Sequence, residues 1–178
     1  IGAYAFKDAT GLTSLVIPDS VTSIGSSAFE GATALTSVTL GSAVETIGSK
    51  AFYNTALTSL TIPDSVTSIG LLAFAKVPIK TLVVGKGLAD QSSVGGGAFY
   101  GVCPTLESVS INSPNALGMG GRTNSRLPWM TYNGDSSYYY DNIYQGLHFT
   151  QGGLSSGGYG NPRDPASLFE CENLQTIT

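Results

Sequence analysis

The apolar positions of the chain recur in a fixed beat. An Ile-Gly pair stands at Ile1-Gly2, Ile24-Gly25, Ile47-Gly48 and Ile69-Gly70, and Val94-Gly95 takes the same place once more. The spacings are 23, 23, 22 and 25 residues. Ala-Phe follows each pair, at Ala5-Phe6, Ala28-Phe29, Ala51-Phe52, Ala73-Phe74 and Ala98-Phe99. Next comes a run with three apolar positions: Leu12, Leu15, Ile17; Leu35, Val38, Leu40; Leu57, Leu60, Ile62; Ile79, Leu82, Val84; and Leu106, Val109, Ile111. A sixth run starts at Leu174 and reaches Ile177.

In each run the last two apolar residues lie two apart, so they share one face of a strand. The neighbouring positions are mostly Ser and Thr, as on a strand with one wet face. Pro18 and Pro63 end two of these strands, because proline removes a ladder donor. Val21, Ile24, Val66 and Ile69 carry apolar surface to the next side of the coil. Ala permits close backbone approach and Phe fills the volume of the turn. One such unit cannot bury its own apolar faces, so successive units must stack. Stacking predicts a parallel sheet with an apolar column behind it.

The recurring sentence, IGxxAFxxxxxLTSLxIPDSVTSIG, resembles the BspA-like (Treponema pallidum type) leucine-rich repeat over residues 1–111 and partly over 167–178. The resemblance implies an α/β-type repeat solenoid, mostly β, coiled right-handed, with a parallel sheet on one face. It also implies a cysteine three residues before the first Leu of each run. That slot, counted back from the Leu, holds Ala9, Ala32, Asn54, Lys76, Cys103 and Cys171. Polar Asn54 and Lys76 there lead to the expectation of a locally altered bend in the third and fourth turns. The fourth repeat departs again at Gly85-Lys86-Gly87, which replaces Pro-x-Ser, and at an extra stretch from Ala89 to Ser93.

The beat stops after Ile111 and returns at Ser167. Residues 1–111 are thus five repeat turns, 112–166 an insert, and 167–178 the start of a further repeat. The chain opens and closes in mid-repeat, which suggests part of a longer protein. The insert is rich in Gly, Asn, Ser and Tyr, and holds Trp129, His148 and six of the nine tyrosines. Loops of this length are commonly functional or disordered, and the aromatics argue against full disorder.

The aromatic group of Trp129, Tyr132, Tyr138, Tyr139, Tyr140 and Tyr144 is the leading candidate for partner binding, because Tyr and Trp combine rigid contact area with one polar tip. The same rings would also serve as the insert's own small core, and the two roles are compatible if some rings face out. Cys103 and Cys171 flank the insert. They are either a disulfide at its base or two buried thiols, since equivalent slots permit the approach without fixing bond geometry.

Other chemistry finds little footing. Asp135, Asp141 and nearby Asn residues lack calcium-loop spacing, so no metal is expected. His148 has no Gly-x-Ser-x-Gly nucleophile beside it, and no catalytic triad is legible. Gly95-Gly96-Gly97 and Gly118-Met119-Gly120-Gly121 lack the strand–helix context of a nucleotide loop, so they read as bends and no cofactor is expected. Rows of Thr and Ser on the strand face could order water as ice-binding solenoids do, although Val16, Lys80, Val83 and Glu107 interrupt them.

Charge narrows the field further. Only 11% of residues are charged, the net charge is −4, and the eight Lys and Arg are scattered. Nucleic-acid binding, which needs clustered cations, is not expected. No apolar run approaches the roughly 18 residues of a membrane-spanning helix. The resemblance implies a secreted or cell-surface adhesion protein that binds protein partners and is not an enzyme. Two alternatives stay open: a structural unit of an extracellular filament or coat that docks on neighbouring copies, and a glycan-binding module centred on the insert.

Overall fold

The computed structural model describes residues 1–89, 93–102 and 104–112, together with the backbone of Thr176 and Ile177. The chain winds as a β-solenoid. The five turns are numbered here by their phenylalanines: Phe6, Phe29, Phe52, Phe74 and Phe99.

Each turn of the coil contributes a strand to a main sheet: β1 (Ser14–Val16), β3 (Ser37–Thr39), β5 (Ser59–Ile62), β7 (Thr81–Val84) and β8 (Ser108–Ile111), with β9 (Thr176–Ile177) pairing beyond β8. All pairings are parallel and in repeat register, as in Leu60↔Leu82 and Leu82↔Val109. A second, narrow sheet runs beside it, from β2 (Ser23–Ile24) through β4 (Thr46–Ile47) to β6 (Ser68–Ile69), and Val94 bridges to Ile69. The single sheet expected from the sequence is therefore accompanied by a second. Its strands form where Ile24, Ile47 and Ile69 point inward and Ser23, Thr46 and Ser68 point out.

Strand alternation sets the core. In β5, Ser59 and Thr61 are exposed while Leu60 and Ile62 are buried. Behind the sheets the phenylalanines form one column, with ring centroids 5.1–5.3 Å apart and planes within 14° of parallel. Phe29, Phe52, Phe74 and Phe99 are fully buried. Each such ring contributes about 1.5–3 kcal/mol relative to an exposed one.

The third side of each turn is a pair of tight bends rather than a helix. In turn one Ala5 N–H bonds Gly2 O, and Ala9 N–H bonds Phe6 O. The third residue of each bend is left-handed: Tyr4 at φ 60° and Asp8 at φ 57°. These are the marks of type II turns. The same two positions are left-handed in every turn. The first is Ser27, Lys50, Leu72 and Gly97; the second is Gly31, Asn54, Lys76 and Gly101.

This corrects the expectation for turns three and four. Asn54 (φ 56°) and Lys76 (φ 58°) bend the chain as Asp8 does, so no altered bend exists there. The buried slot lies three residues after the Phe and holds Ala32, Thr55, Val77 and Val102. Thr55 is tolerated inside because its hydroxyl donates to Phe52 O at 3.0 Å. Counting back from the Leu misplaced the slot because the link from slot to Leu varies. It is two residues in turns one and two, one in turns three and four, and three in turn five.

Candidate binding surface

The outer face of the main sheet is a ladder of small hydroxyls. Ser14 pairs with Ser37, and Ser59, Thr81 and Ser108 form a continuous row. A second row runs through Val16 and Thr39 and through Thr61, Val83 and Ser110. Beside the rows the Lys80 ammonium meets Glu107 at 2.9 Å, and that contact raises the lysine's pKa. Such an exposed pair adds little stability but holds two charges in place.

The face is not continuous. The ladder joins β1 to β3 and β5 through β9, but β3 and β5 are not paired. Two sequence features coincide with the break. The link before the strand shortens by one residue between turns two and three, and Pro63 replaces Gly41 at the strand end. Proline offers no N–H to turn two. Among the described residues, the equivalents of Leu40 and Pro63 one turn away keep their bonds: Ile17 N–H to Thr39 O and Gly85 N–H to Ile62 O, both at 2.9 Å. No acceptor among the described residues is bonded to the Leu40 N–H.

An open groove of about 420 Å³ lies at this break, lined by Asp19, Val38, Thr39, Leu40, Ser42, Thr61 and Pro63. Its lining combines apolar Val38, Leu40 and Pro63, the hydroxyl residues Thr39, Ser42 and Thr61, and one carboxylate, Asp19. Asp19 Oδ1 accepts from Ser42 N–H at 2.6 Å and from Ser42 Oγ at 2.9 Å. Those bonds, the backbone one first, hold the carboxyl below its ordinary pKa, so it is ionised at neutral pH. Asp64, one pair of turns on, is lowered likewise by Lys86 N–H.

The opposite side of the coil carries lysines over aromatic rings. Lys50 and Lys76 ammoniums lie 5.7 and 5.4 Å from the Tyr53 ring centroid, and Lys7 lies 5.9 Å from that of Tyr4. Lys7 also pairs with Glu30 at 3.4 Å. Ser27 first, then Lys7 and Lys50, keep that carboxyl below its usual pKa against partial burial.

Of the residues singled out by sequence, Trp129, Tyr132, Tyr138, Tyr139, Tyr140, Tyr144, Cys103 and Cys171 all lie outside the described residues. The groove residues were not anticipated. The available signal was the shortened 22-residue spacing together with the alternation Pro18, Gly41, Pro63, Gly85 at one slot. Among the described residues no group of three metal-capable side chains occurs, and no helix is long and apolar enough to cross a membrane.

Stacked parallel turns with a ladder of leucine positions define the class: a leucine-rich repeat solenoid. The chain belongs to the BspA type leucine rich repeat family, whose model matches residues 1–118 with six copies. It is similar to the solved leucine-rich repeat protein of T. pallidum, with 27% identity and a TM-score of 0.56, covering 62% of this chain and 50% of that one. It is also similar to a leucine-rich repeat protein from Bacteroides ovatus, with 26% identity and a TM-score of 0.49, covering 62% and 34%. The chain thus spans half or less of the length of these relatives. No curated protein sequence matches it.

Proposed function

We propose that this chain is a non-catalytic scaffold, secreted or held at a cell surface, that binds protein partners through the outer face of its main sheet. The observation that carries this reading is the face itself. It is a plane of exposed hydroxyls in repeat register, low in charge and interrupted by a lined groove. Small hydroxyl side chains lose little conformational entropy on contact and can both donate and accept. Family membership supports a repeat scaffold for protein contacts. The aromatic residues between 112 and 166 would add anchors beside the face.

Photocrosslinking in cells tests the reading. A photoreactive residue placed at Thr39 or Ser59 is expected to trap a second protein, and one placed at Lys50 on the opposite side is not. Crosslinks from Lys50 alone would reject the sheet as the binding face. Biotinylation of intact producing cells should label the protein from outside, and labelling only after lysis would reject surface display.

A further inference from the structure

We propose that the groove between turns two and three is a receptor site for a lysine side chain of the protein partner, with the stem lying on Val38, Leu40 and Pro63 and the ammonium on the free oxygen of Asp19. The inference deepens the reading above and rests on the main sheet being a protein-binding face.

The solenoid carries its own template for this contact. Asp19 and Asp64 occupy equivalent slots, as do Ser42 and Lys86. At Asp64, Oδ1 accepts from Lys86 N–H at 3.0 Å, and Oδ2 faces the Lys86 ammonium at 3.4 Å. At Asp19, Oδ1 accepts from Ser42 in the same way. The ammonium is missing there because the residue that would carry it is serine. Among the described residues nothing is bonded to Asp19 Oδ2 and no cation is paired with it.

The carboxylate belongs to the lining of a groove of about 420 Å³ whose apolar lining residues are Val38, Leu40 and Pro63. A lysine suits this arrangement because its methylene stem buries on apolar surface while its head stays with a charge. Thr39 and Thr61 line the same groove, and their hydroxyls can accept from the remaining ammonium hydrogens. Exposed carboxylates elsewhere on the sheet side lack this combination: Glu107 is paired with Lys80 and Asp64 with Lys86.

The test is an NMR titration of the isotope-labelled chain with a capped Ala-Ala-Lys-Ala-Ala peptide and its norleucine and glutamate counterparts. The lysine peptide is expected to shift the Val38, Leu40 and Thr61 amides saturably, and the other two are not. Asp19→Asn should weaken that binding by roughly threefold or more, in line with exposed charge pairs. Ser42→Lys supplies the ammonium from within, as Lys86 does, and should weaken it similarly while leaving the fold intact. Equal binding of lysine and norleucine peptides, or no response to Asp19→Asn, would overturn the assignment. Saturable shifts confined to Ser59, Thr81 and Ser108 would overturn it while leaving the sheet-face reading standing. Failure of the Thr39 and Ser59 crosslinks would instead remove that reading itself.

Discussion

Between turns three and four, Gly85 lies against Pro63. A Cβ on Gly85 would come within 2.6 Å of both Asp64 N and Pro63 C. The glycine is thin enough to let the backbones meet, its N–H reaches Ile62 O, and four residues of ladder form. Between turns two and three the order is reversed. Pro63 takes the slot of Gly41 in the following turn, bringing a ring and no donor, and the main sheet parts there. The same slot thus closes one junction and opens the next. Continuity of a stacked sheet is decided turn by turn by what occupies a few non-core positions, while the core runs through undisturbed.

The open junction is not a weak joint throughout. Behind it Phe29 and Phe52 stack at 5.1 Å, β4 pairs with both β2 and β6, and the Ser65 hydroxyl donates to Val44 O at 2.7 Å. The opening is therefore local to the outer face of the main sheet, as the proposed recognition groove requires.

Removing the shared core should have the largest effect. Phe52→Ala takes out the ring that closes the junction behind the groove, and is expected to cost about 3–5 kcal/mol in denaturant unfolding. Gly85→Ala attacks the closed junction, where backbone rather than a flexible side chain is in the way, and should cost roughly 1–3 kcal/mol. Gly11→Ala is its control: a Cβ there meets nothing within 4 Å, and the equivalent position one turn on is Ala34. Its effect should stay within about 0.5 kcal/mol.

Acid should act on the closed junctions on either side of the groove, because Asp19 joins turn one to turn two through Ser42 and Asp64 joins turn three to turn four through Lys86. Asp19 and Asp64 have lowered folded-state pKa values, so their stabilisation is full above the ordinary carboxylate pKa. It is lost as pH falls through the lower folded values. Thermal midpoints should therefore drop below about pH 4, and Asp19→Asn should flatten that drop. A steepened drop in the variant would contradict the assignment. The smallest effect is expected for Pro63→Ala, which returns a donor to the open junction. A regained hydrogen bond of about 1 kcal/mol is offset by about 0.4–1 kcal/mol of unfolded-chain entropy. Stability should barely change, while the new amide gains protection from exchange.

The sequence made the solenoid legible because the core positions obey one rule in every turn. Phe29, Phe52 and Phe74 must all fill one column, and Leu60 and Leu82 must share one face. What escaped was set by residues between the core positions. Pro18 and Pro63 sit in near-identical sentences, yet only Pro63 has a preceding described turn against which its missing donor matters. The buried slot was misplaced at Asn54 and Lys76 because a link of variable length separates it from the Leu, whereas its distance from the Phe is constant. The groove arises from the pairing of unlike neighbours, Asp19 with Ser42 and Gly41 with Pro63, which a repeat read one unit at a time does not display.

Amide hydrogen exchange at Leu40 tests the open sheet most directly. Leu40 is 8% exposed and Ile17 2%, so the two differ little in burial and the comparison reads the hydrogen bond. If the sheet is open as described, its amide exchanges much faster than those of Ile17 and Gly85, which are bonded to Thr39 O and Ile62 O. Protection of Leu40 equal to theirs would mean that β3 and β5 are paired and that the groove does not exist.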